Sequence, residues 1–430
     1  MSGTPPNHDR EVYHDRRTTQ SWAAEYRNEI GLAAATLFVL LLVIAVDMAR
    51  AGGSPYLSKP WANATEIIRH TSLWGIFALG AAIVIISGGI DLSSGSVIAF
   101  SGSIFAIVLI CLAPRDDYGV PDTTKLSTVT ILIGMTAALV AGGCVGTLHA
   151  WLITVVGLPP FVATLASLVG LRSLARILNP SIMTCFGIRQ TRINLYDARL
   201  ADIGQAWWLP LLIFLMVSGL LWLMMTRTVV GRHLYALGGN EQAARLSGIR
   251  TDQLKWLAYC TGAVTASIAG ILYTLKVGAI NPQTLGVAYE LNAIAAAVVG
   301  GCSLQGGMGT VPGVMLGVLF LRMVIDAVAK LIKSGSDDYE GLIVGFLVVV
   351  AVAMNEWRRQ VRGTTKQFFA GTMGTLIIPV LSMFVAAILG VMLGDDRIGF
   401  NFRQAAISGS ATFVILGAVK CSELIRCTVK

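Results

Sequence analysis

Asp91 is the residue with the most chemistry to offer, a carboxylate in the run GGIDLSSG at Gly88–Gly95, with hydroxyls at Ser93 and Ser94 and apolar stretches on both sides. A carboxylate at the centre of a membrane helix costs about 2.5 to 3.5 kcal/mol, so it must face a bundle interior or an aqueous cavity. Two compatible roles are open to it: capping the next helix with the help of Ser93 and Ser94, and contact with a solute or ion. A second run, GGCSLQGG at Gly300–Gly307, repeats the pattern GG-x-x-L-x-x-G, again between two apolar stretches. Paired glycine interruptions in two halves of a membrane chain point to a transporter's central site, because a broken helix frees backbone groups that only a lined cavity can satisfy. Ser303 and Gln305 add polar groups that suit a hydroxyl-rich solute.

Other chemistries lack their residues. The five histidines (His8, His14, His70, His149, His233) form no HExxH pair, and no GxSxG elbow is present, which argues against an intramembrane enzyme. There is no GK dipeptide, hence no P-loop to cradle a nucleotide. His70 and His149 fall at span ends and read as interfacial. Seven cysteines without a CxxC pair read as small buried hydrophobes, with no metal site and no disulfide framework.

The elements that must position these groups are membrane helices. With 55% hydrophobic and 13% charged residues over 430 positions, the chain is too apolar for a soluble domain. Its apolar runs approach the ~20 residues that cross about 30 Å of hydrocarbon. Lipid offers a bare backbone no partner, so these runs must be helical. The reading is an all-α polytopic bundle of about ten core spans with broken helices, plus two extra C-terminal spans. Spans are expected near Ile30–Met48, Ile67–Ser87, Gly95–Ala113, Val129–Trp151, Phe161–Leu178, Trp208–Met225, Trp256–Leu275, Leu291–Gly300, Val311–Ile332, Leu342–Met354, Phe368–Leu393 and Ala405–Ile425. This organises the chain as a polar arm (1–29), a membrane domain (30–356) with a loop at 227–255, and an extension (357–430). The first apolar run is long, which argues for a retained span over a cleaved signal.

The net charge of +8 comes from Lys and Arg in short loops, which reads as membrane orientation and not as nucleic-acid binding. Arg227, Arg232, Arg245, Arg250 and Lys255 share one loop, placing the N-terminus in the cytoplasm; Arg189, Arg192 and Arg199 fall on the other side. Trp61, Trp151, Trp207, Trp208, Trp256 and Trp357 mark span ends as headgroup anchors. Small residues four apart (Ala138, Gly142, Gly146; Gly262, Ala266, Gly270; Gly313, Gly317) let helix backbones approach closely.

The loop GRHLYALGGNEQAARLSGIR is patterned as a docking element: a turn at Gly238 and Gly239, a cap at Asn240, a short helix Glu241–Leu246, and a stop at Gly248. Together with GIDLSSGS (Gly89–Ser96), LPPFVATLASLVGLRSLARIL (Leu158–Leu178) and YELNAIAAAVVGGCSLQGGMGTVPGVMLG (Tyr289–Gly317), it resembles the permeases of bacterial ribose, xylose and related sugar ABC importers. The resemblance covers roughly residues 67 to 354. It implies an inner-membrane homodimer working with two cytoplasmic ATPase subunits, which hold ATP and Mg, and with an extracytoplasmic solute-binding protein. It also implies that the permease binds no cofactor of its own. By that resemblance Gly239, Asn240, Glu241, Ala244 and Arg245 form the coupling helix seated on the ATPase. Asp91, Ser93, Ser94, Gly95, Glu290, Asn292, Ser303 and Gln305 would lie along the pathway. Asn292 stands where the family often has an acid and Cys302 where Thr is usual, and the two C-terminal spans extend past the family's usual end. The competing class is an ion-coupled secondary transporter with Asp91 as the ion site.

Overall fold

Apolar runs rich in Ala, Leu, Ile and Val, broken by glycines and prolines, fold as a helical bundle because each helix satisfies its own backbone. The computed structural model describes residues 27–49 and 55–331, with isolated positions at 341, 344, 345 and 349. These lie in the first of the two units into which the chain divides, Met1–Asn355. The expected spans at Phe368–Leu393 and Ala405–Ile425, all but three positions of that at Leu342–Met354, and most of the polar arm lie outside the described residues.

The order is α1 (Arg27–Ala49), α2 (Pro55–Ser58), α3 (Pro60–Ile86), α4 (Ser94–Cys111), α5 (Thr128–Thr154), α6 (Pro160–Cys185), β1 (Ile193–Asn194), α7 (Ala198–Gln205), α8 (Trp208–Arg227), α9 (Val229–Gly239), α10 (Glu241–Leu246), α11 (Thr251–Val277), β2 (Ala279–Ile280), α12 (Tyr289–Val299) and α13 (Val311–Leu331). Six of these, α3, α4, α5, α6, α8 and α11, are long and apolar enough to cross a membrane. The 11-residue α12 is not, since 1.5 Å per residue carries it only about halfway across. Helix α6 runs on past the expected end at Leu178, through Pro180, to Cys185.

The six divide by burial. The apolar windows of α3, α4 and α11 are 83%, 72% and 72% buried, whereas those of α5, α6 and α8 are 33%, 22% and 28% buried. The first three are therefore the core, with α11 packed on α3, α4 and α5. The second three turn Leu132, Val140, Val169, Leu215 and Leu220 outward, as a lipid-facing layer does. The small-residue series makes the core contacts: a Cβ on Gly146 would lie 2.6 Å from Cys260 Cα, and one on Gly270 would lie 2.5 Å from Ile98 O. Cys111, Cys144 and Cys185 are exposed, contrary to the expectation of buried cysteines; among the described cysteines Cys302 alone is buried. Trp61 and Trp208 are exposed at helix ends, while Trp256 donates its Nε1–H to Thr154 Oγ1 at 2.9 Å and so ties α11 to α5.

The end of the bundle away from α10 is closed by short elements. Strand β1 pairs antiparallel with β2, Ile193 opposite Ile280. Asp197, 2% exposed, caps α7 by accepting from Arg199 N at 2.9 Å and also accepts from Leu126 N at 3.2 Å. Arg199 adds a 2.9 Å bond to its Oδ2 and reaches on to Leu126 O. The Arg199 hydrogen bond, outweighing burial, holds the Asp197 carboxyl below its ordinary range. A depressed carboxylate stabilises the fold above its unfolded value of about 3.9, and that stabilisation is lost as pH falls through the folded value. The melting temperature of Asp197→Asn in detergent should therefore be lower than wild type at neutral pH, with the gap closing below about pH 4; a gap independent of pH would contradict this role.

Candidate functional site

Between α3 and α4 the chain leaves helical geometry at Ser87 and resumes it at Ser94. Gly88, at φ 86°, makes the exit. At one end of this segment Gly88 abuts Gly238, with a virtual Cβ 3.4 Å from Gly238 Cα. At the other, Gly95 meets Glu290 and Gly286 so closely that a Cβ there would overlap Glu290 Oε2 and Gly286 O. Glu290 lies in the first turn of α12, and Gly300, Gly301 and Gly306 follow its end. The unwound segment therefore runs alongside the half-length α12, and the two glycine-rich copies are neighbours.

Unwound backbone at this depth needs partners, and α6 supplies one and is itself tied to the first turn of α4. Thr164 Oγ1 donates to Ile90 O at 3.3 Å, and Ser96 Oγ donates to Ser167 O at 3.2 Å. Asp91 does not cap α4. Its Oδ1 accepts from Ser93 N (2.7 Å) and Ser93 Oγ (2.6 Å), an Asx-type turn that fixes the segment ahead of the helix. The N-cap position is Ser93, without a side-chain cap, and Ser94 Oγ is buried without a partner. The carboxylate is 3% exposed, and its Oδ2 lies 3.6 Å from where a Cβ on Gly262 of α11 would stand.

Groups that sequence reasoning did not assign complete the centre. His149 is fully buried, not interfacial, and both ring nitrogens lack a partner. Its ring sits edge-on to Tyr259, with centroids 6.3 Å apart; the Tyr259 hydroxyl is also unpartnered and nestles against Gly89. The charge of Asp91 reaches His149, Tyr259 and Glu290. Arg172 of α6 donates to Leu285 O at 3.0 Å and Gly286 O at 2.6 Å, fixing the loop that leads into α12, and lies within electrostatic reach of Glu290. Its signal in the sequence was the arginine itself, standing inside an apolar span. Glu290 Oε2 is buried without a partner, and Asn292, two residues further along α12, is buried as well. Asp91, Ser93, Ser94, Gly95 and Glu290 thus gather at one buried polar centre. Ser303 and Gln305 sit apart, on a turn in which Ser303 Oγ accepts from Gln305 N at 3.3 Å.

That turn meets the α10 end of the bundle. Gly307 N donates to Ile86 O at 2.9 Å, Tyr235 Oη donates to Gly309 O at 2.7 Å, and a Cβ on Gly306 would lie 2.7 Å from Gly88 Cα and 3.0 Å from Gly238 Cα. Gly238 is thus wedged between the two glycine loops. It is not in a turn, as expected: α9 is helical through Gly239. Asn240 caps α10 through Ala243 N at 3.0 Å, and Gly248, at φ 81°, ends it as expected. Ala244 is buried. Glu241 takes Lys255 Nζ at 2.6 Å, while Arg245 bonds Thr251 Oγ1 at 3.1 Å and Asp252 at 3.1 Å. These side chains fasten α10 to the start of α11. What α10 presents outward is Leu246, 90% exposed, which the sequence reading passed over. Among the described residues no group of His, Cys, Asp and Glu is placed to hold a metal ion.

A bundle with an unwound segment, a half-length helix and a buried polar centre defines a multi-pass membrane permease. Residues 63–352 match the family described as "Branched-chain amino acid transport system / permease component", and the chain belongs to that family, as the permease component of an ABC importer whose ATPase is a separate subunit. It is similar to the ribose import permease of Escherichia coli K12, 29% identical over 80% of this chain and 97% of the relative. It is also similar to the ribose import permease of Haemophilus influenzae, 32% identical over 69% and 85%, and to the D-allose transport system permease of E. coli K12, 28% identical over 74% and 90%. No solved structure matches.

The Gly95 contact gives a test. Since the overlapping atom of Gly286 is backbone, Gly95→Ala should separate α4 from α12 and lower uptake at least about tenfold in monodisperse protein. Gly143→Ala, with nothing within 4 Å of its Cβ, should leave uptake unchanged; equal effects of the two would contradict the assignment.

Proposed function

We propose that this permease imports a monosaccharide or a similar small polar solute by alternating access, as one of two identical membrane subunits driven by a partner ATPase. The observation that carries this reading is the wedge at Gly238: the residue three positions before α10 touches both glycine loops, so displacement of α10 reaches the unwound segment and α12 together. The solute class is supported by the relatives, whose names specify ribose, D-allose and fructose, and by the polar centre of Asp91, Ser94 and Glu290, with Asn292 two residues further along α12. Ser93, Gly95, Ser303 and Gln305 shape the backbone around that path.

The α10 end faces the cytoplasm in this reading, with the N-terminus on the same side. The Lys and Arg residues flanking α10 favour that placement. Gly239, Asn240, Glu241, Ala244 and Arg245 build and fasten the coupling helix, and Leu246 inserts into the ATPase. ATP and Mg are held by that partner, this chain binding no cofactor, and an extracytoplasmic binding protein delivers solute to the opposite end. The second copy completes the path along α12, where Val287, Leu291 and Met308 are each about half exposed.

Leu246→Asp should abolish co-purification with the ATPase and solute-stimulated hydrolysis, because an exposed apolar anchor carries a large share of a small interface. Arg245→Ala, which loosens α10 without removing the anchor, should reduce coupling less. Undiminished co-purification of Leu246→Asp would overturn the docking assignment.

A further inference from the structure

Helices α4 and α6, which hold the unwound segment, each end on an exposed cysteine at the end of the bundle away from α10: Cys111 on α4 and Cys185 on α6. The pathway reading uses neither. The two helices run side by side in the same direction and keep one register along their length. Ile90 meets Thr164, 74 positions on, and Ser96 meets Ser167, 71 positions on. Past the helix ends the Arg115 guanidinium lies over the Phe186 ring, 5.3 Å from its centre. Cys111 and Cys185 fall between these last two crossings and have the same separation in sequence as Ile90 and Thr164. The neighbouring side chains interlock as well: Met183 shares a buried cluster with Leu109 and Ile110, and Phe186 packs on it. The register therefore sets the two cysteines beside each other, and their sulfurs lie within electrostatic reach.

A disulfide needs Cα atoms within about 7 Å and side chains that turn toward each other. Both cysteines end their helices and are followed by turns, the second of them at Gly187 with φ 75°, so neither is locked in the middle of a rigid segment. The other described cysteines are placed differently: Cys144 and Cys260 lie within α5 and α11, and Cys302 is buried behind the glycine loop. The Lys and Arg residues flanking α10 put the opposite end of the bundle outside the cytoplasm, where disulfides form and persist.

We propose that Cys111 and Cys185 are a modification site, closing to a disulfide that fastens the outer end of α4 to the outer end of α6. One cysteine, as thiolate, attacks the disulfide of a thiol–disulfide exchange protein of the outer compartment and forms a mixed disulfide; the other then attacks that bond and expels the donor. Two S–H bonds and the donor's S–S bond give way to one S–S bond here and two S–H bonds on the donor, which takes up both electrons and both protons. The link makes α4 and α6 one body. Through Thr164 and Ile90 the unwound segment is tied to that body, so displacement arriving from Gly238 works against a fixed wall. The proposal goes beyond the permease reading and rests on its orientation, with the end away from α10 outside.

The test counts protected thiols on the full chain in cell membranes. Free thiols are blocked with N-ethylmaleimide in denaturant, and the chain is then reduced with a phosphine and treated with a maleimide of high mass. At least two thiols should take the second reagent; Cys111→Ser and Cys185→Ser should each lower that count by two, and Cys144→Ser should leave it unchanged. Reduction should lower the melting temperature of the wild type in detergent by several degrees and leave that of Cys111→Ser where it was, because a disulfide that closes a long loop stabilises the fold. No protected thiols in the wild type, or a count that Cys111→Ser and Cys185→Ser leave unchanged, as a pairing of Cys421 with Cys427 would give, would overturn the proposal. Uptake by the complete complex separates the two readings. Free Cys111 and Cys185 in a complex that imports solute at the expense of ATP sink the disulfide and spare the permease, whereas a protected pair in a complex without ATP-driven import of any solute counts against the permease reading and for the disulfide.

Discussion

A backbone that unwinds inside a bilayer has no water to bond, and each freed amide or carbonyl must find a protein partner or cost several kcal/mol. The segment from Ser87 to Ser93 lives under that constraint. Asp91 turns its carboxylate back on Ser93, Thr164 reaches Ile90 O from α6, and Gly307 reaches Ile86 O at the foot of α3. Close backbone approach makes these bonds possible, and at Gly95, Gly238 and Gly306 it leaves no room for a Cβ. The glycine content is thus tied to function: a segment held by neighbouring backbones moves when they move.

The polar centre follows from the same constraint. Unwinding the chain before α4 and shortening α12 opens a region at membrane depth where Asp91, Glu290, His149 and Arg172 can coexist, each too costly to face lipid. Arg172 offsets Glu290 and at the same time anchors the carbonyls that lead into α12. His149 and Tyr259 keep unpartnered polar atoms against the unwound segment, groups with hydrogen-bonding capacity to spare for a passing hydroxylated solute.

Much of this was legible in the sequence because the bilayer narrows the choices. Helix positions followed from apolar run length, and the paired GG-x-x-L-x-x-G runs marked two interruptions that do meet. The short helix Glu241–Leu246 with its Asn240 cap could be read from local hydrogen-bonding rules. What escaped was whatever depends on which helices become neighbours. Gly238 and Gly239 carry a turn signature, yet α9 continues through them because Gly238 must pass Ile86 and Gly307. His149 lies near a helix end in sequence but faces α11 in space.

The central claim is that Gly238 transmits movement of α10 to both glycine loops. In a helix Ala is preferred over Gly by about 1 kcal/mol, so propensity alone would make Gly238→Ala harmless, while a Cβ there would overlap Ile86 O and lie 2.5 Å from Gly307 N. Uptake and ATP hydrolysis measured together on the reconstituted complex decide the matter. The account predicts that Gly238→Ala keeps its ATPase bound and hydrolysing while uptake is lost, with Gly143→Ala behaving as wild type; full uptake by Gly238→Ala would contradict it.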